Sequence, residues 1–369
     1  MEHIKLQTPN YKNKGIMFLS VENINTLLSN KFISENEYRQ RFKIKPRYLD
    51  VFMTRIGTIG KTNVITTHKP IAYYVSLALL RPQNIQSFFL SFIIQTSKVQ
   101  QDIWKRTLQI AFPQKINKDE IGKVTLAVPL QKEQIDIEKL LLKLDKLVTL
   151  QQRKLEQLRQ LKIFTLQRMF IDKDCKQPIL RFKNFNDNWL PHKFNDIANT
   201  FSGGTPAISN KDYYGGNIPF IRSAEINKNT TQLHLTPDGL KNSSAKFIKK
   251  GTLLYALYGA TSGEVGIAQI DGAINQAVMA INLKKDNVYF IKTWLIKNKR
   301  KIISTYLQGG QGNLSAKIVK HLKLSLPKIE EENLISITIM KIDSLIKLQQ
   351  SKIDDLVNLK KYLLQKLFI

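Results

Sequence analysis

The chain has 369 residues, and 43% of them are hydrophobic, which is enough to bury two cores of ordinary size. It carries 57 Lys and Arg against 29 Asp and Glu, a formal charge of +28, which excludes an acidic mimic of nucleic acid. A compact protein with this imbalance repels itself unless an anionic partner is near, and nucleic acid is the commonest such partner. A lysine-rich codon bias accounts for part of the excess, but it leaves the scarcity of acidic residues unexplained.

Cysteine content and hydropathy bear on the compartment. Cys175 is the single cysteine, so the chain has no intrachain disulfide, as is usual in a reducing cytosol. The first fifteen residues are polar and lack the apolar stretch of a signal peptide. No apolar run approaches the roughly 18 residues that a membrane span needs. The sequence therefore predicts a soluble, cytoplasmic protein.

Short apolar stretches, separated by Gly, Asn and Asp, predict strands of a mixed α/β fold. In chain order, they are IMFLSV (16–21), DVFMTRI (50–56), TLLYALY (252–258) and QAVMAINL (276–283). Trp189, Phe194 and Ile197 predict a further strand that opens the second half of the chain.

Two segments of about 40 residues predict long helices of about 60 Å each. Pro129 and Pro327 stand just before them and acidic residues follow, as is favourable at a helix N-terminus. Apolar residues recur at spacings of three and four, so we expect the two stripes to pair as an antiparallel coiled coil. The candidate pairing residues are Leu144, Gln151, Leu155, Leu158, Ile342, Gln349, Ile353 and Leu356. Gln151 and Gln349 either form a buried polar pair that fixes the register or lie exposed at the edge of the stripe.

The chain contains an internal repeat. Residues 128–171 align without a gap with residues 326–369, which places Asp145 on Asp343 at an offset of 198. Upstream, GIMFLSVENIN (15–25) lies on NIPFIRSAEIN (217–227) at an offset of 202. This pattern predicts a pseudo-twofold arrangement of two variable domains alternating with two long helices. The predicted divisions are residues 1–128, 129–171, 172–326 and 327–369, and the first domain lacks a counterpart of the strand around Trp189.

Basic and polar side chains in the loops are candidates for contacts with DNA, because Arg and Lys pair with guanine edges and Asn or Gln with adenine. In the first variable domain they are Arg47, Arg55, Lys61 and Lys69. In the second they are Arg222, Lys228, Tyr258 and Thr261, followed by Gln308, Gln311 and Asn313 of a glycine-rich stretch. Taken one by one, each is more typical of an ordinary polar surface residue, and the group indicates more than its members do.

Signatures of catalysis are weak. The stretch RIGTIGKT (55–62) lacks the first glycine of a phosphate-binding loop, so a strand–turn–strand is expected there. No Pro-Pro dipeptide marks an amino-methyltransferase, and PDGLK (237–241) is interpreted as a turn rather than the start of a nuclease motif. The five histidines lack the spacing of metal ligands, so no catalytic residue and no metal site is predicted.

The order of domain, helix, domain, helix resembles the specificity subunits of type I restriction–modification systems. The resemblance covers nearly the whole chain and rests on these stretches: PILRFKNFNDNW (178–189), GGTP (203–206), YYGGNIPFIRSAEI (213–226), FIKKGTLLYALYGATSGEVGIA (247–268) and QGGQGNLSAKIVKHLKLSLP (308–327). With it, Gly203, Gly204 and Thr205 join the candidates for contact with DNA.

The resemblance implies two α/β (α+β) target recognition domains, each reading one half of a split sequence in double-stranded DNA. The paired helices would set the gap between the half-sites. Two methyltransferase subunits, and restriction or motor subunits where present, would dock on this scaffold. The complex would use S-adenosylmethionine, ATP and Mg, whereas this chain would hold no cofactor and would not be catalytic.

Three alternatives stay open. The first is a DNA-binding protein without methyltransferase partners. The second is a silent or rearranged specificity subunit whose first domain is incomplete. Thr8 and Pro9 align with Thr205 and Pro206, but the first domain has no counterpart of Gly203 and Gly204 before them. The third is a nuclease with an unrecognised site.

Overall fold

The chain forms two compact units of mixed α/β structure, which the computed structural model describes over residues 9–172, 175–306 and 313–368. The first unit comprises Met1–Lys154 with Gln349–Ile369, and the second comprises Leu155–Leu348. Each unit contains its own sheets and a part of both long helices. The sequence-based division kept each helix whole, whereas the compact units divide both.

Two three-stranded sheets form the body of the first unit, in the orders β2-β1-β5 and β4-β3-β6. The elements are β1 (Ile16–Leu19), β2 (Phe32–Ile33), α1 (Glu35–Arg41), β3 (Val51–Thr54), β4 (Thr62–Val64), β5 (Ile71–Tyr73), β6 (Leu77–Leu80), α2 (Ser87–Ile94), α3 (Ser97–Lys105), α4 (Lys118–Gly122) and α5 (Gln131–Met169). Strand β3 is buried along its whole length, and its Val51 pairs with Val64 of β4 and Leu80 of β6.

The second unit has two four-stranded sheets, β10-β9-β14-β11 and β13-β12-β15-β8, and a two-stranded sheet, β16-β7. The elements are β7 (Leu190–Lys193), α6 (Phe194–Ile197), β8 (Ala198–Ser202), β9 (Tyr214–Ile221), β10 (Leu233–Leu235), α7 (Pro237–Lys241), β11 (Lys246–Ile248), β12 (Leu253–Ala256), β13 (Val265–Ile267), β14 (Gly272–Ile274), β15 (Val278–Leu283), α8 (Val288–Tyr306), α9 (Ala316–Lys320), β16 (Lys323–Leu326) and α10 (Ile329–Lys366). Its largest core lies between β12, β15 and helix α8, where Tyr255, Met279 and Phe290 are fully buried.

The predicted strands at 16–21, 50–56, 252–258 and 276–283 are confirmed as β1, β3, β12 and β15. A short apolar run bounded by turn residues is a local pattern, so these strands could be recognised without the fold. The strand–turn–strand expected at 55–62 is also confirmed, since β3 and β4 pair antiparallel across it.

Two local predictions are wrong. The stretch PDGLK is helix α7 and not a turn, because Thr236 caps it by accepting the N–H of Gly239 and Pro237 fits the first helical turn. The opening strand is confined to Leu190–Lys193, while Phe194 and Ile197 lie in the short helix α6. The Asp196 carboxylate caps that helix by accepting the backbone N–H of Lys193 at 3.3 Å.

The long helices α5 and α10 pair antiparallel, as predicted. In the first unit, Asp145 of α5 meets Lys360 of α10, and the later Gln151 meets the earlier Gln349. In the second unit, Lys162 of α5 meets Asp343 of α10. Both helices begin two residues after a proline, at Gln131 and Ile329.

Candidate nucleic-acid interface and helix pairing

A tightly held turn precedes strand β3 in the first unit. The Asp50 carboxylate is buried and accepts the backbone N–H of Arg47 at 2.8 Å. Arg81 donates to both oxygens of this carboxylate, at 3.0 and 2.7 Å, and also to the Lys45 carbonyl at 3.0 Å. Hydrogen bonding to Asp50 raises the pKa of Arg81 above its usual value. The turn is thus held by a charge-assisted bidentate pair, the stronger class of hydrogen bond.

This turn and the loop between β4 and β5 together present cations and a stacked ring pair to solvent. Arg47 and Lys69, both predicted from the sequence, are exposed here. The Tyr48 ring stacks on the His68 ring, with centroids 4.4 Å apart and planes at 18°. We call Arg47, Tyr48, His68 and Lys69 the first basic turn. Sequence reasoning missed both rings, although Tyr48 directly follows Arg47.

The two other candidates of the first unit have different surroundings. Arg55 is half-buried, and its Nε donates to the Ile116 carbonyl at 3.0 Å. Burial lowers the pKa of its guanidinium. Arg55 is therefore better placed to stabilise the fold, through its hydrogen bond to Ile116, than to contact a base. Lys61 is exposed at the end of the β3–β4 turn, where its N–H donates to the Thr54 hydroxyl at 3.0 Å.

A basic turn also precedes strand β12, at the repeat-equivalent position of the second unit. Lys249 and Lys250 occupy the places of Arg47 and Tyr48 at the offset of 202. The Lys249 ammonium lies 5.3 Å from the centre of the exposed Phe247 ring. Asp271 holds the turn by accepting the backbone N–H of Lys250 at 2.7 Å and the Lys249 ammonium at 3.1 Å. We call Phe247, Lys249 and Lys250 the second basic turn, which sequence reasoning missed and the repeat could have revealed.

Arg222, a candidate of the second unit, is engaged within the fold. Its guanidinium donates to both oxygens of Glu225 at 3.1 Å and to the Gln232 side chain at 2.7 Å. Burial opposes ionisation of Glu225, but hydrogen bonds from Arg222 and from backbone amides hold its pKa below the usual value. Arg222 thus organises the loop that carries Lys228, which is itself exposed.

The turn after strand β12 brings together three of the predicted residues. Tyr258 is exposed, and Thr261 donates to the Tyr258 carbonyl at 3.5 Å. The Asn313 side chain accepts the N–H of Gly259 at 3.4 Å. The remaining two members of that group, Gln308 and Gln311, lie outside the described residues.

The glycine pair before Thr205 is explained by close packing. A β-carbon on Gly203 would lie 1.8 Å from the Ile274 carbonyl oxygen, and one on Gly204 would lie 1.8 Å from the Ser244 hydroxyl. A side chain at Gly203 would collide with the backbone of Ile274, and one at Gly204 would also come within 2.8 Å of the backbone carbonyl carbon of Ser244. Thr205 donates to the Gln276 side chain at 2.5 Å.

Repeat-equivalent polar contacts join the paired helices. Gln349 is buried, and its amide donates to the Gln151 side chain at 2.7 Å and to the Gln151 carbonyl at 3.1 Å. Asp145 pairs with Lys360 at 2.5 Å in the first unit, and Asp343 pairs with Lys162 at 2.5 Å in the second. Each partner in one pair is the counterpart, at 198, of a partner in the other.

Apolar residues fill the rest of the stripe. Those buried are Leu144, Leu155, Ile342 and Ile353, while Leu158 and Leu356 are half-buried. Within the described ranges, no group of His, Cys, Asp or Glu side chains could hold a metal ion. In that same part of the chain, no helix combines the length and hydropathy needed to cross a membrane.

The comparison with protein families bears on the second half of the chain. Residues 186–358 match the sequence model of the type I restriction modification DNA specificity domain. Over these residues, the chain is similar to a type I DNA specificity domain. The match includes strands β7 to β16 and most of helix α10, so the resemblance drawn from the sequence is confirmed there.

Curated specificity subunits extend the similarity. The type I restriction enzyme MjaIX specificity subunit of Methanocaldococcus jannaschii is 27% identical over 163 residues, which span 41% of this chain and 37% of that protein. The putative type I restriction enzyme MjaX specificity subunit of the same organism is 25% identical over 307 residues, or 78% of this chain and 70% of that protein. The first of these relatives is therefore matched over much less than its full length.

Solved structures share the fold of nearly the whole chain. A chain from work on complex assembly and conformational transition of the type I R-M system gives a TM-score of 0.63 at 13% identity, covering 98% of this chain and 92% of that one. The type I S subunit of M. genitalium gives 0.61 at 15% identity, covering 100% and 92%. The HsdS subunit of Thermoanaerobacter tengcongensis gives 0.52 at 13% identity, covering 98% and 90%. At these identities the likeness concerns the fold, and it confirms the predicted architecture.

Proposed function

We propose that the chain is the DNA-recognition subunit of a type I restriction–modification complex, in which each unit binds one half of a bipartite target. The observation that carries this proposal is the recurrence of an exposed basic turn ahead of the equivalent strand in both units. In the first unit Arg47 of this turn is exposed, and Lys69 adds a cation from the loop between β4 and β5. In the second unit Lys249 and Lys250 are exposed, although Lys249 is also paired with Asp271. Cations meet phosphates without reading sequence, so they would position the duplex.

The residues around these turns differ between the units, as two readers of different half-sites require. The first basic turn has a stacked Tyr48–His68 pair, whereas the second has Phe247 beneath Lys249. In the second unit, Tyr258 and Asn313 lie at the end of strand β12 with polar groups of the kind that contact base edges. The shared scaffold would place the duplex, and the divergent side chains would select the sequence.

Two equivalent apolar patches on the helices support the docking of two copies of one partner. In the first unit, Leu147, Leu150, Leu359 and Tyr362 flank the Asp145–Lys360 pair. In the second, their counterparts Leu345, Leu348, Leu161 and Phe164 flank the Asp343–Lys162 pair. All eight side chains are at least 38% exposed. Recurrent exposed apolar residues at one helix position are typical of a surface that binds another helix.

We assign these patches to two methyltransferase subunits, with restriction or motor subunits as further members of the complex. In this arrangement S-adenosylmethionine, ATP and Mg belong to the partner subunits, and this chain contributes recognition and scaffolding rather than catalysis. A specificity domain of this kind supports that division of roles.

Methylation sequencing tests the recognition role. Deletion of the gene is expected to remove one split adenine-methylation motif from the host genome, and a genome with unchanged motifs would contradict the proposal. Replacing both Arg47 and Tyr48 with Ala should relax or change one half of the motif and leave the other half intact. Lys139→Ala, an exposed cation of helix α5, is the matched control. Loss of binding to all DNA alike would instead indicate contacts with phosphates only.

Native mass spectrometry of the complex reconstituted with its methyltransferase subunits tests the docking role. Leu147→Asp or Leu345→Asp alone is expected to leave one partner copy per chain, and the double variant none. Leu28→Asp changes an exposed leucine outside both patches and should keep two copies. Two copies on the double variant would refute the assignment of these patches.

A further inference from the structure

In the second unit, strand β16 is covered along one edge by strand β7. The two strands are antiparallel, from Lys323 opposite Lys193 to Leu326 opposite Leu190. Leu324 and Leu326 of β16 are each only 3% exposed. The edge of β16 is therefore paired and its apolar side chains are sheltered.

The segment that leads into β7 adds two anchors. Trp189 packs against Phe170 and Phe290, with ring centroids 6.3 and 5.7 Å apart, and those two rings stack at 4.9 Å. Arg181 makes two hydrogen bonds of 2.8 Å to the carboxylate of Glu331, which is 1% exposed. An aromatic ring and a bidentate arginine thus fix this segment against its unit.

The first unit contains counterparts of the residues that β7 and its leading segment contact in the second unit, namely those of β16, Phe170 and Glu331. Residues 125–128 are the counterparts of β16, yet they belong to no strand of the described structure. Val128 is 45% exposed where its counterpart Leu326 is buried. Phe368 and Phe89 repeat the ring pair at 5.1 Å, but Phe368 is only partly buried. Within the described residues, no side chain takes the place of Trp189.

The two units also differ in whether an equivalent glutamate is paired with an arginine. It is the counterpart of Glu331, but it is exposed and has no ion pair or hydrogen bond among the described residues. The receiving surface thus offers an edge that can accept a strand, a half-covered aromatic ring and an acidic side chain. Each of these has a filled counterpart in the second unit, so the repeat specifies the chemistry of an occupant.

We propose that residues 125–133 together with Phe368 form a strand-acceptor site for an extended segment of a separate polypeptide. The segment places a basic side chain on Glu133 and, eight residues later, an aromatic ring on Phe368. It then pairs with residues 125–128 as an added strand, the mode called β-augmentation. The acidic charge of Glu133 complements that basic side chain, and backbone hydrogen bonds supply affinity.

A synthetic peptide that spans residues 176–193 is the probe, because it contains Arg181, Trp189 and strand β7. With a fluorescent label, it is expected to bind the full-length chain saturably at one site, measured by anisotropy. Glu133→Arg should weaken binding at least tenfold, and a peptide with Arg181→Glu should recover binding to that variant. Asp355→Arg, at another exposed acidic residue of the first unit, should leave binding unchanged. Hydrogen exchange should show new protection of amides within residues 126–128, whereas the Thr125 N–H already donates to Asp102 at 3.2 Å.

Two results would overturn the proposal. One is the absence of saturable binding. The other is equal binding to the parent and to Glu133→Arg, since the peptide would then be replacing its own counterpart in the second unit. A peptide with Trp189→Ala that binds as tightly as the parent peptide would contradict the aromatic part of the site.

Discussion

Glu332 is predicted to keep its proton up to a pH of about 7, and its replacement by glutamine tests the reasoning. Its counterpart in the first unit is Gln134, whose Oε1 accepts the N–H of Gln86 at 3.0 Å while its Nε2 donates to the Pro129 carbonyl at 2.9 Å. Glu332 repeats the first contact, accepting the N–H of Asn287 at 2.7 Å. Its Oε1 is buried with no hydrogen-bond partner in the described structure.

A proton on this Oε1 would make it a donor, as the Nε2 of Gln134 is in the repeat. Burial raises the pKa of Glu332 to about 7, the N–H of Asn287 opposes the shift, and the nearby charge of Asp286 adds to it. The side chain is fully buried, so little solvent screens these effects. The repeat and the electrostatics therefore indicate the same protonated state.

The sign of the pH dependence follows from the raised pKa. In the unfolded chain Glu332 ionises near its ordinary value of 4.5, whereas in the fold it keeps its proton until about 7. The free energy of unfolding should therefore fall as pH rises from 4.5 to 7 and then level off. At about 1.4 kcal/mol per pH unit, the loss is about 3 kcal/mol. Glu332→Gln has no such loss, so its stability should exceed that of the parent by up to about 3 kcal/mol at pH 8 and match it near pH 4.5.

Urea unfolding between pH 5 and 8 measures this difference, with tryptophan fluorescence as the probe. A Trp104→Phe background leaves Trp189 and Trp294, both in the second unit, so the signal reports on the unit that holds Glu332. Glu330→Gln removes an exposed carboxylate of the same helical turn and should show no comparable gain. The reasoning fails if Glu332→Gln is no more stable than the parent at pH 8, or if its advantage persists undiminished at pH 5.

Two further substitutions probe the second unit. Gly203→Ala should cost about 1–3 kcal/mol of the stability of this unit in urea, because the new β-carbon meets the Ile274 carbonyl oxygen at 1.8 Å. Gly122→Ala, in helix α4 of the first unit and with open space around it, should cost that unit nothing, and equal losses from the two substitutions, each measured on its own unit, would contradict the packing argument. Tyr289→Phe removes a hydroxyl that donates to Asp343 at 2.5 Å, so thermal denaturation should show a loss of about 1–2 kcal/mol in the free energy of unfolding. An unchanged melting temperature would show that this hydrogen bond makes no net contribution to stability.

Much of the architecture could be predicted from the sequence, because it depends on local patterns. Strands β1, β3, β12 and β15 follow from short apolar runs between turn residues, and the two long helices follow from spacings of three and four. The gapless repeat placed the helices in equivalent positions, which is why their antiparallel pairing could be predicted as well. The second basic turn could also have been found, by carrying the first across the repeat.

The candidate site was less predictable, because a residue type does not reveal its partners. Arg47, Arg55 and Arg222 looked alike in the sequence. In the structure Arg47 is exposed, Arg55 donates to a backbone carbonyl, and Arg222 is bound to Glu225. Gly203 was taken for a contact with DNA, while its position against Ile274 explains it by packing.

By itself the sequence determined the class of fold, the repeat and the pairing of the helices, since these depend on hydrophobic periodicity along the chain. Only the tertiary structure decided which of the two equivalent carboxylates, Glu133 and Glu331, is buried by an arginine, and that Glu332 lacks a partner where Gln134 has one. Burial and hydrogen bonding depend on residues distant in sequence, so equivalent positions of a repeat acquire different charge states and different surfaces.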